Sequence, residues 1–133
     1  INGHGGNDVP GKQAVFEVRQ KYRQRDDLLL LFSTYWALGN ESIMAGPEFT
    51  QHEMGHACEW ETSMILRIAP QLVREYSNIA VVERGNPFLP ATRGWTTKDR
   101  SEPGHIGVPH LASAEKGETL LATFSDGVQQ LAK

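Results

Sequence analysis

Leu28-Leu29-Leu30-Leu31-Phe32-Ser33-Thr34-Tyr35-Trp36 is the stretch whose reading decides the fold. A continuous apolar run of this size, broken off from Asp26-Asp27, reads as a strand buried on both faces, as strands of a parallel sheet are. Upstream, Val15, Val18 and Tyr22 recur at helical spacing with Lys12, Glu17, Arg19 and Arg23 between them, which predicts a helix from Pro10-Gly11 to about Arg25. Downstream, a polar, glycine-bearing stretch at 39–55 precedes a helix from about His56 to Ile68, ended or kinked by Pro70. Ile79 to Val82 is β-branched and reads as another short strand. Residues 85–109 hold Pro87, Pro90, Pro103 and Pro109 and make a connection long enough to suggest a functional or interface role. Ser113 is a fitting N-cap for a last helix, with Glu115 in its first turn and Leu120, Leu121, Phe124, Val128 and Leu131 as its apolar stripe. Strand and helix in alternation predict an α/β layered domain, with ligands bound at the C-terminal edge of its strands.

Composition narrows the function. A chain of 133 residues is one domain's worth and long enough to bury a core. A net charge of −3 gives no electrostatic reason to expect nucleic acid or an anionic membrane as partner. No apolar run approaches the ~20 residues needed to span a bilayer. The single cysteine, Cys58, excludes an internal disulfide framework and suits a reducing, cytoplasmic setting.

Two clusters carry chemistry. The first is Asn2-Gly3-His4-Gly5-Gly6-Asn7. Its glycines let a ligand come close, and a lone imidazole on such a loop suits metal binding or proton transfer, with Asn2 and Asn7 orienting it or closing the turn. The loop is preceded only by Ile1, with no initiator Met, so the chain is read as the C-terminal portion of a longer protein. The second cluster, His52-Glu53-Met54-Gly55-His56-Ala57-Cys58-Glu59-Trp60-Glu61-Thr62-Ser63, admits two readings. His52, Glu53 and His56 satisfy the H-E-x-x-H pattern of zinc peptidases, with Glu75 far enough downstream to be a third ligand. That reading requires His52 to be helical, against Gly55 and the polar run before it. A helix beginning near His56 instead puts His56, Glu59, Trp60 and Ser63 on one face, an imidazole and a carboxylate placed for acid/base work at a polarised carbonyl. Glu61 then points elsewhere and ties down a neighbouring loop. Cys58 reads as a buried thiol.

The loop around His4, the run His56-Ala57-x-Glu59-x-Glu61-Thr62-Ser63, and Gly107-x-Pro109 with Ala112-Ser113-Ala114-Glu115-Lys116-Gly117 together resemble the creatininase family, in that family's order and across nearly the whole chain. The resemblance implies a three-layer α/β/α fold around a mostly parallel sheet and a metal-dependent amidohydrolase with two divalent ions (Zn, Mn or Fe) that polarise a carbonyl and supply a bridging hydroxide, cutting a cyclic or linear amide or formamide C–N bond. It makes His4 a metal ligand and His56 the catalytic histidine that shuttles a proton to the leaving nitrogen. Gly5 and Gly6 stand where creatininase proper has Tyr and a metal-binding Glu, and Glu59 is the candidate for the missing carboxylate, in a catalytic or metal-binding role. His52 and Glu53 replace a Trp-Asp pair; with Gly5 they are taken as substrate contacts, and creatinine itself is not the expected substrate. Family members form oligomers, often hexamers, and a homo-oligomer is expected. The remaining metal ligands are expected from an N-terminal half or a complementary chain, so these residues alone are expected to be inactive. A non-catalytic assembly or binding module of the same fold is the reading from another class. His105 and His110 are taken as surface or interface residues.

Overall fold

The computed structural model describes residues 1–83 and 85–133, without the side chains of Asn40 and Met44. Its helices are α1 (Asp8–Lys21), α2 (Asn40–Met44), α3 (Glu59–Ile68), α4 (Thr97–Arg100) and α5 (Ala114–Leu131), joined by loops and short 3-10 turns. The chain forms two compact units, Ile1–Gly39 with Phe124–Lys133, and Asn40–Thr123.

The expected three-layer α/β/α architecture is not there. Among the described residues no strand forms, and β pairing is confined to the isolated bridges Asn2–Thr34, His56–Ile106 and Val82–Gly107. The run 28–33 is without regular structure, and the bridge that follows it is at Thr34. Asn2 donates its N–H to Ser33 O at 2.8 Å and accepts from Tyr35 N at 3.0 Å, a single parallel bridge. Leu29 is 78% exposed and Leu31 56%, so the run lacks the cover that a strand buried on both faces requires. Ile79 to Val82 likewise gives one bridge and no ladder, because its partner, Gly107, stands in a loop with φ +125°.

In the first unit α1 starts at Asp8, earlier than the apolar spacing marks, and ends at Lys21. Gly11 lets α1 come down on Phe32, whose ring would meet any Cβ there. Tyr35 packs edge-on against Trp36 and Phe124, with ring centroids 5.0 and 5.2 Å apart.

In the second unit the core comprises Ile43, Phe49, Cys58, Trp60, Met64, Ile106, Ala112 and Leu120. Trp60 is fully buried, stands edge-on to Phe49 and donates its indole N–H to Gln51 O at 2.9 Å, which satisfies the polar tip of a core ring. Helix α3 stops at Ile68, just ahead of Pro70, whose ring and missing N–H suit the first turn of the 3-10 turn Pro70–Leu72. Ser113 caps α5 by accepting from Lys116 N at 3.2 Å. The start of α5 presses on α3 so closely that a Cβ on Gly117 would run into the carbonyl of Ser63. Gly117→Ala should therefore lower stability by about 1–3 kcal/mol, the usual cost of overpacking, read as a shifted midpoint in urea unfolding.

Candidate functional site

In the first unit the site is built on Asn2. Its side chain donates to His4 O at 2.8 Å and to Thr34 Oγ1 at 3.1 Å, while its Oδ1 accepts from His4 N at 3.2 Å and from Asn7 Nδ2 at 3.3 Å. Thr34 Oγ1 in turn donates to Asp8 Oδ1 at 3.1 Å. The two asparagines thus hold the backbone of the His4 loop, and the glycines shape the space around its exposed ring. His4 caps the 3-10 turn Gly5–Asn7, accepting from Gly6 N at Nδ1, 3.1 Å. A Cβ at Gly6 would press on the imidazole, whereas beside Gly5 there is open space for a ligand. With Nδ1 an acceptor, the neutral ring carries its proton on Nε2. His4 would hold a metal either through the Nδ1 lone pair now given to Gly6 N or, in the other tautomer, through Nε2 with the proton on Nδ1.

In the second unit His56 lies just outside α3, not on it. Its backbone pairs with Ile106 in both directions, at 3.0 and 2.7 Å, and its side chain is exposed. Gly55 makes this possible, since a Cβ there would strike Ile106 O. Ala57 follows with φ 45°, a left-handed conformation that costs free energy for any residue with a Cβ. Glu61 and Thr62 hold it there: Ala57 N donates to Glu61 Oε2 at 2.6 Å and Thr62 Oγ1 to Ala57 O at 3.3 Å. Glu61 therefore ties down the loop that carries His56.

Glu59 does not share an open face with His56. It is fully buried. Oε1 accepts from Lys116 Nζ at 2.6 Å and Oε2 from Gln51 N at 2.8 Å, and Lys116 also reaches Leu111 O at 2.7 Å. Both carboxylate oxygens are thus occupied, and a metal ion at Glu59 would have to displace Lys116 or the Gln51 amide.

His52 and Glu53 lie on a loop, so His52 and His56 are not one helical turn apart as a zinc peptidase requires. His52 and Glu53 line a cavity of about 330 Å³ with Val81, Val82, Glu83 and Val108. Val82 and Gly107, both among its lining residues, form a bridge next in register to the Ile106–His56 bridge. Gln51 braces Val108 and Glu53, accepting at Oε1 from Val108 N at 3.4 Å and donating from Nε2 to Glu53 O at 2.5 Å.

Other histidines and carboxylates fall elsewhere. His105 is buried, with Nε2 2.7 Å from Ala80 O, and is a packing residue where a surface one was expected. His110 is half-buried. Glu75 is tied to Ser77 N at 2.9 Å, and Cys58 is fully buried with Sγ 3.7 Å from Met54 Sδ. Gln51 and Lys116 were missed as site-building residues; Lys116 stood in a quoted motif without a role.

The family model for creatininase, described as creatinine amidohydrolase, matches residues 1–132. The chain belongs to the creatininase family. No curated protein and no solved structure matches it. Membership makes a metal-dependent amidohydrolase-type activity the function class of this creatininase-family chain. Among the described residues, no group of three or more His, Cys, Asp and Glu is placed to hold a metal ion, so His4 and Glu59 do not by themselves form the expected two-metal centre. No described helix is long and apolar enough to cross a membrane.

Two outcomes follow from these contacts. Lys116→Met leaves the Glu59 carboxylate buried without its cation and should cost about 3–5 kcal/mol, whereas adding Glu59→Gln should recover part of the loss; urea unfolding of the wild type and the two variants checks this. Beside the His4 loop, the Lys12 ammonium holds the Asp8 carboxyl below its usual range, with Thr34 adding to the effect. A lowered folded-state value stabilises above the unfolded carboxylate's range and is lost as pH falls through the lowered one. Asp8→Asn should therefore flatten the acid limb of the stability–pH curve.

Proposed function

We propose that the protein hydrolyses the C–N bond of a small amide, cyclic or linear, in which His56 delivers a proton to the leaving nitrogen and His4 is this chain's ligand to the metal centre. The observation that carries the reading is the family match over residues 1–132, with both histidines present and exposed. His56 is suited to the task because its backbone is clamped on Ile106 and by the Ala57–Glu61 contact, leaving the imidazole free to meet substrate. As the C–N bond breaks, the nitrogen gains the proton and leaves as an amine, and water's oxygen stays on the acyl carbon. Gly5, His52 and Glu53 contact substrate in this proposal. Glu59 serves by position: it anchors Gln51 and the start of α3, and so the loop between them that carries His56.

Metal ions supply Lewis acidity and an activated water in such enzymes. Because the described residues form no closed ligand group, we propose that the other ligands come from a further segment or a second chain, homo-oligomeric assembly being one way to bring them.

The test is a hydrolysis screen over formamides, lactams and creatinine with Zn, Mn or Fe supplied, on the protein with the segment or chain that brings the other ligands in place. His56→Ala should lower kcat by about 10²–10⁴-fold while bound metal is retained, and His4→Ala should remove metal and activity together. Activity that survives His4→Ala but not His52→Ala would point to the peptidase pattern instead. Metal well below stoichiometric in the wild-type protein, with no hydrolysis, would point to a non-catalytic module.

A further inference from the structure

The hydrogen bonds of His4 go to Asn2, Gly6 and Asn7, and of these Asn2 is the one that leaves the loop for residues far along the chain. Asn2 and its partner Thr34 stand 32 residues apart and are both buried, at 9% and 4% exposed. The Asn2 backbone straddles Thr34, through Ser33 O and Tyr35 N. Its carboxamide has no capacity to spare. Oδ1 accepts from His4 N and Asn7 Nδ2, and the two hydrogens of Nδ2 go to His4 O and Thr34 Oγ1. Because His4 offers an acceptor to one end of the amide and a donor to the other, the amide sits one way round, and Thr34 receives its second hydrogen. The single proton of the Thr34 hydroxyl then goes to Asp8 Oδ1, which as a carboxylate only accepts. The hydrogen bonds thus run in one direction, from the His4 loop to the first residue of α1.

We infer that Thr34, with Asp8 behind it, is a positioning residue for His4: its hydroxyl holds the Asn2 carboxamide, and through it the backbone from which the imidazole meets Gly6 N. Without the hydroxyl a buried N–H has no acceptor, a loss that the amide relieves by turning away. Turning takes Asn2 off His4 O and His4 N, and the contact of Nδ1 with Gly6 N goes with them. The inference rests on the reading of His4 as this chain's metal ligand and adds to it the residues that fix where the ring lone pair points.

The experiment reads the ring nitrogens of His4 by NMR in the full chain, on the neutral imidazole and without metal. Wild type should show one tautomer, with the proton on Nε2 and Nδ1 hydrogen-bonded to Gly6. Thr34→Val removes the hydroxyl, and its ring nitrogens should move toward the average of the two tautomers. Thr34→Ser should restore the wild-type signature. Asp8→Ala should move the signals in the same direction as Thr34→Val and decides the matter if that variant does not fold. Lys12→Ala, which removes the other partner of Asp8 and leaves the hydroxyl in place, should not move them. With the segment or chain that brings the other ligands in place, zinc should bind about 10–100-fold more weakly to Thr34→Val than to Thr34→Ser. Mixed tautomers in wild type, unmoved ring nitrogens in a folded Thr34→Val, a Thr34→Ser as disturbed as Thr34→Val, or equal changes from Asp8→Ala and Lys12→Ala would overturn the inference. Zinc bound equally before and after His4→Ala would refute the proposed function and leave the ring-nitrogen result standing. Zinc lost with His4→Ala, beside ring nitrogens indifferent to Thr34→Val, would refute this inference alone.

Discussion

Lys116 reaches from the first turn of α5 into the unit formed by residues 40–123 and meets Glu59, whose carboxylate has no contact with solvent. Taking both charges out of water is expensive, and hydrogen bonds offset that cost: Oε1 accepts from Lys116 and Oε2 from the Gln51 amide, while Lys116 also donates to Leu111 O. A loop, α3, the 3-10 turn Pro109–Leu111 and α5 are thereby pinned to one point. Three of the residues that face substrate in our account, His52, Glu53 and His56, lie on the loop between Gln51 and the start of α3, both held by Glu59. Their placement depends on a carboxylate that never meets solvent.

Close backbone approach supplies the second layer of definition. Gly55, Gly107 and Gly117 each stand where a side chain would collide with a carbonyl oxygen or with Gln51. They allow His56 to pair with Ile106, Gly107 to pair with Val82, and α5 to lie on α3. The pairing at Ile106 and Gly107 is therefore close, although no sheet supports it. In the other unit the same economy appears around Asn2, one side chain that holds both ends of the His4 loop and passes the connection to Thr34 and Asp8.

Local signals in the sequence were legible where the interaction itself is local. Ser113 caps the last helix as its spacing with Glu115 implies, Pro70 ends α3, and Glu61 ties a neighbouring loop. The family was legible from three motifs in order, and its model covers the chain. The parallel sheet was not a safe conclusion. A strand is defined by its partners, and Leu28 to Phe32 has the composition of a buried strand while Leu29 and Leu31 stand exposed and only Thr34 finds a bridge. The pairing of Glu59 with Lys116 spans 57 residues, and no periodicity could announce it. For the same reason Glu59 looked like a partner of His56 by helical spacing, although the helix begins at Glu59 and leaves His56 outside. His105 shows the converse error: a Pro/Gly-rich neighbourhood suggested a surface, and the side chain is buried against Ala80 O.

The most direct test of this account is a crystal structure of the metal-loaded protein, with anomalous scattering used to place the ions. The account predicts metal on His4, ligands from a further segment or chain beside it, and Glu59 still bound to Lys116. Metal on Glu59 with Lys116 displaced, or metal between His52 and His56 with His4 remote, would contradict it.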